Sequence, residues 1–78
     1  MELTERQKEL IALLKERNFE PDIILPTMVV ASMDEGLLSE LISTLSKQTI
    51  TEAELNVLVV KSVEKLKLQV NYHYENYD

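Results

Sequence analysis

The feature that most constrains this chain is the six-residue stretch Ile50–Leu55, ITEAEL. Thr51 is a good N-cap, and Glu54 stands three residues on, where its carboxylate can reach back to the cap's own N–H. Ile50 and Leu55 flank the pair in the positions of a hydrophobic staple. Four residues thus agree on one helix start, and any fold must accommodate a helix leaving Thr51. Behind it come Leu55, Leu58, Val59, Val63 and Leu66 as a main apolar stripe, while Ala53, Val57 and Val60 fall roughly on the opposite side. A helix apolar on two sides is buried on two sides, within its own chain or against a second subunit.

Other segments carry the same type of signal. Thr4 with Gln7 forms a capping box, and Leu10, Leu13 and Leu14 share a face with Ile11 at its edge. This predicts a helix over about residues 5–17, closed by Lys15, Arg17 and Asn18. Asp34 caps a segment in which Leu37, Leu38, Leu41, Ile42 and Leu45 recur at three- and four-residue steps, which predicts a helix over 35–47. Between these two lies NFEPDIILPTMVVASMDEG. Pro21 can open a helix, but Pro26 is unwelcome inside one and pushes Leu25 towards extended geometry. The favoured reading is a turn or short extended piece over residues 21–25 followed by a helix from Pro26 to Met33. The alternative makes DIIL or TMVV a short strand, given its β-branched content.

The last segment, KLKLQVNYHY over Lys65–Tyr74, alternates polar and apolar residues for ten positions, the pattern of a half-buried strand. Leu66, Leu68, Val70, Tyr72 and Tyr74 would share one face. The expectation is a helix to Leu66 and a strand-like segment over about 67–74, its partner being the DIIL region, a second copy, or an edge strand of another protein. Tyr72, Tyr74 and Tyr77 are three of the four aromatic residues, and tyrosine favours binding hot spots. The expected fold is mostly α, a small bundle of three to four helices in one domain over 1–78, with 67–78 as a strand-like or flexible tail.

Composition narrows the function classes. Seventy-eight residues without a cysteine and with one histidine leave neither disulfides nor a Cys or His metal site to support a small core. Packing or oligomerisation must serve instead. A net charge of −6 repels nucleic acid and anionic membrane. The charged N-terminus lacks the apolar run of a signal peptide, and a cytoplasmic setting is expected. No catalytic motif, phosphate loop or cofactor box is present, His73 has no second ligand, and the carboxylates cluster at helix starts, where the helix dipole accounts for them. Aligning Glu54 with the last ligand of an EF-hand loop puts Leu45 and Lys47 at ligand positions and Gln48 at the glycine, which excludes calcium. No enzyme activity and no cofactor are expected.

LTERQKELIALL resembles the opening helix of winged-helix and helix–turn–helix repressors, a resemblance that implies a recognition helix over 35–47. That helix offers a phosphate backbone only Lys47, where DNA binding needs several cations. The favoured function is a small acidic protein–protein interaction or regulatory module, self-associating as a homodimer, with Val57, Val60, Leu68, Val70, Tyr72, Tyr74 and Tyr77 as candidate partner-binding residues. The rival is an acidic inhibitor mimicking nucleic acid.

Overall fold

The computed structural model describes the backbone of residues 2–75 and the side chains of residues 2–68. Among the described residues there are four helices and no strand: α1 Glu5–Glu16, α2 Pro21–Met33, α3 Glu35–Lys47 and α4 Glu52–Glu75. The mostly helical bundle and the expected starts of α1, α3 and α4 are as the cap residues require.

Helix α1 opens on the reciprocal bonds of a capping box. The Gln7 N–H donates to Thr4 Oγ1 at 3.1 Å, and the Thr4 N–H donates to Gln7 Oε1 at 2.9 Å. It closes in a Schellman motif. The Asn18 N–H donates to the Lys15 carbonyl and the Phe19 N–H to the Leu14 carbonyl. Asn18 takes the left-handed conformation this needs, with φ 65°, and asparagine is among the few side chains that enter it readily. Phe19 then packs back onto the core.

Helix α2 corrects the expectation for residues 21–25. They form the first turns of a helix that runs unbroken through Pro26. The β-branched run is likewise helical, so neither DIIL nor TMVV is a strand. Pro21 sits at the first helical position, where its fixed φ suits the helix. Ile24, Thr27, Met28 and Ala31 then fall on one buried face that spans the proline. An interior proline costs about 3 kcal/mol, while burying Ile24 and Met28 contributes about 3–6 kcal/mol. Packing therefore outweighs the local penalty, and the Pro26 ring lies on the exposed side.

A single residue, Asp34, separates α2 from α3. Its N–H closes α2 on the Val30 carbonyl, and its carboxylate caps α3 through the Gly36 N–H at 3.0 Å. Helix α3 supplies the centre of the core: Leu37, Leu38, Leu41, Ile42 and Leu45 are all buried, against Leu10 and Leu14 of α1 and Ile24, Met28 and Ala31 of α2. The Arg17 guanidinium, at the end of α1, donates to the Leu45 carbonyl at 2.7 Å and so ties the end of α1 to the last turn of α3.

Helix α4 begins as ITEAEL demands. The Glu54 N–H donates to Thr51 Oγ1 and the Thr51 N–H to Glu54 Oε1, both at 3.1 Å. Both staple residues, Ile50 and Leu55, are buried. Among the described residues the helix packs on α2 and α3 but not on α1. It continues to Glu75, which corrects the strand expected over 67–74: the described backbone of that stretch is helical. A strand needs a ladder partner, and the candidate partner within the chain is itself helix. A helix satisfies its backbone groups internally.

Candidate partner-binding surface

Twenty-four residues make α4 about 36 Å long at 1.5 Å per residue, nearly twice each of the others. The molecule is correspondingly elongated, 47 × 28 × 22 Å. The inner face of α4 is anchored at its start by Leu55 and half-way along by Ser62, with Leu58 and Val59 partly buried between them.

The Ser62 anchor is polar. Its hydroxyl, buried at 5% exposure, donates to Asp34 Oδ2 at 2.7 Å. Lys65 Nζ lies 3.5 Å from Asp34 Oδ1. One carboxylate thus caps α3, receives the Ser62 hydroxyl and faces an ammonium. The Asp34 carboxyl is held below the ordinary aspartate value, chiefly by the Ser62 hydrogen bond. Burial opposes this, and the backbone N–H groups of Leu37 and Gly36 and the Lys65 charge add to it. Nothing in the sequence signals this tether, since its partners stand 28 residues apart, Asp34 reads only as a helix cap and Ser62 as an ordinary helix residue.

The outer face of α4 is where the candidate residues stand. Val57 is 51% exposed, Val60 46% and Leu68 68%. At about 100° per residue, Val57 and Leu68 lie within about 20° of one line along the helix, and Val60 lies some 60° to one side. Lys61 and Glu64 occupy the same strip; both are exposed, and neither makes an ion pair among the described residues. The structure thus brings three of the predicted residues onto one free helix face. The side chains of Val70, Tyr72, Tyr74 and Tyr77 lie outside the described residues.

Sequence reading missed a second exposed strip. Leu25, Val29 and Met33 follow one another at four-residue steps along α2, at 66%, 57% and 64% exposure. The signal was present in their spacing, but a helix starting only at Pro26 leaves Leu25 outside it. Leu25 also borders an open apolar groove of about 860 Å³ between α1 and α2, lined by Leu3, Ile11, Phe19, Ile24 and Met28. A smaller cleft of about 490 Å³ separates α2 from the start of α4, with Asp22 and Glu52 at its rim and Ile23, Leu55 and Val59 among its lining.

Acidic side chains occupy the first turn of every helix, Glu5, Asp22, Glu35, and Glu52 with Glu54. That is the arrangement the helix dipole favours. Among the described residues no group of three His, Cys, Asp or Glu side chains could hold a metal ion, and no helix is long and apolar enough to cross a membrane. No family model, curated protein or solved structure matches the chain.

Proposed function

We propose that this protein is a small non-enzymatic interaction module of the cytoplasm that works by docking helix faces, and that it associates with itself. The observation that carries the reading is the outer face of α4, where Val57, Val60 and Leu68 stand in solvent on a helix whose other face is already anchored. The Leu25–Val29–Met33 strip of α2 gives the module a second apolar face for a protein partner.

The nucleic-acid-mimic reading would need carboxylates in a continuous track. Here the first-turn carboxylates are spread over four helix starts, Glu9, Glu16, Glu40 and Glu64 stand singly elsewhere on the helices, and the exposed strip on α2 is apolar. Light scattering across a concentration series tests the favoured reading. Mass should rise towards twice 9.0 kDa in the range of about 1–100 μM, where modest interfaces assemble. A mass fixed at the monomer value throughout that range would refute self-association.

A further inference from the structure

The outer strip of α4 has an order that selects its own partner. Val57, Lys61, Glu64 and Leu68 follow at steps of four, three and four residues, the spacing of successive core positions in a coiled coil. All four are exposed. We propose that α4 pairs with α4 of a second copy, antiparallel, about a two-fold axis level with the Ser62–Val63 peptide. This rests on the self-association argued above and specifies its geometry.

The register follows from charge and symmetry. In an antiparallel pair centred between Ser62 and Val63, Val57 of one copy meets Leu68 of the other, and Lys61 meets Glu64. By two-fold symmetry each contact occurs twice. The result is two apolar layers enclosing two opposite-charge layers, with Val60 alongside. A parallel pair would place Lys61 on Lys61 and Glu64 on Glu64, like charges along the seam, which is strongly disfavoured. Sliding the antiparallel pair by one heptad step would set Val57 against Lys61 and leave Leu68 without an apolar partner. Charged residues at such seam positions commonly fix register and orientation at some cost in affinity.

Among the described residues, α1–α3 leave this face uncovered. The bodies formed by α1–α3 lie on the opposite side of α4, because Leu55, Ser62 and the partly buried Leu58 and Val59 all face them. Lys65, which would stand at the edge of the seam, is occupied by Asp34. The central ammonium–carboxylate pairs are therefore those of Lys61 and Glu64.

A charge-swap series tests the register. Lys61→Glu alone and Glu64→Lys alone place like charges opposite one another, and each is expected to weaken dimerisation at least about tenfold in sedimentation equilibrium. The double variant Lys61→Glu/Glu64→Lys restores opposite charges and should return to within about threefold of wild type, roughly the precision at which such energies add. A second measurement uses cross-linking. A chain carrying both Val57→Cys and Leu68→Cys should form a disulfide-linked dimer under mild oxidation. Each single cysteine should not, because its copies would be about 16 Å apart along the axis. A wild-type dimer indifferent to the swaps, or a dimer cross-linked by Val57→Cys alone, would overturn this register and leave self-association standing. A monomeric wild type at about 100 μM would remove both.

Discussion

Helices α3 and α4 start in the same way and finish differently. Each opens on an oxygen cap, Asp34 or Thr51, and each carries an apolar stripe at three- and four-residue steps. Over 13 residues α3 buries five large side chains. Helix α4 is nearly twice as long, yet among its described side chains only Leu55 and Ser62 are buried. The difference lies in neighbours. Three helices, α1, α2 and α4, pack on α3, whereas among the described residues α4 packs on α2 and α3 alone. Caps and periodicity decide that a segment is a helix, and the number of surrounding elements decides how much of its apolar surface leaves water. The unburied remainder on α4 is the candidate working surface.

The largest effect that would break this contrast is at the core end. Leu41 is fully buried on α3, within the hydrophobic core. Leu41→Ala should cost about 2–5 kcal/mol, the range for deleting a buried leucine side chain. For a chain this small that approaches the whole stability. Urea titration followed by circular dichroism measures it. A loss under about 1 kcal/mol would mean that α3 is not the packed centre, and the contrast with α4 would vanish.

Where the two helices meet, the effect should be intermediate and dependent on pH. Asp34→Ala removes the α3 cap, worth about 1 kcal/mol, and leaves the buried Ser62 hydroxyl without its acceptor, worth about 1–3 kcal/mol. The folded-state pKa of Asp34 lies below its ordinary value. Its ionised form therefore stabilises the fold fully above the unfolded pKa, and the contribution is lost as pH falls through the folded one. The gap in stability between wild type and Asp34→Ala should be constant near neutrality and shrink as the pH falls through and below the ordinary aspartate range. A gap that widens towards acid would contradict the direction of the shift and the role of the Ser62 hydrogen bond.

Much of this was legible in the sequence, for identifiable reasons. Thr4 with Gln7, Asp34, and Thr51 with Glu54 use only neighbours within three residues, so the starts of α1, α3 and α4 could be read directly. The stripe of α3 could be read because all five of its apolar residues are buried. Helix α2 could not, because the local cost of Pro26 is visible in sequence while the offsetting burial of Ile24 and Met28 depends on distant residues. The end of α4 failed for a related reason. The alternation in KLKLQVNYHY resembles a strand, but a strand needs a ladder partner, and α2, the candidate within the chain, is helical. Reading the helix as stopping at Leu66 also hid the alignment of Leu68 with Val57. The outward position of Val57 and Val60 was recoverable from the helical angle alone, whereas the paired order of Val57, Lys61, Glu64 and Leu68 appears only once the helix is carried past Leu66.

The smallest expected effect sharpens the comparison most. Leu68 is the same residue type as Leu41, on a stripe of the same period, but 68% exposed. Leu68→Ala leaves no cavity in the monomer, and a surface substitution of this kind usually changes stability by no more than about 0.5 kcal/mol. Its effect should lie in association. Assembly stabilises a folded protomer by mass action, so the wild-type melting temperature should rise with protein concentration, and in Leu68→Ala that dependence should flatten. At the dilute limit the two proteins should melt together. If Leu68→Ala instead destabilised the dilute protein as Leu41→Ala does, Leu68 would be packed within its own chain. The outer face of α4 would then be part of the core, and a partner would have nothing left there to cover.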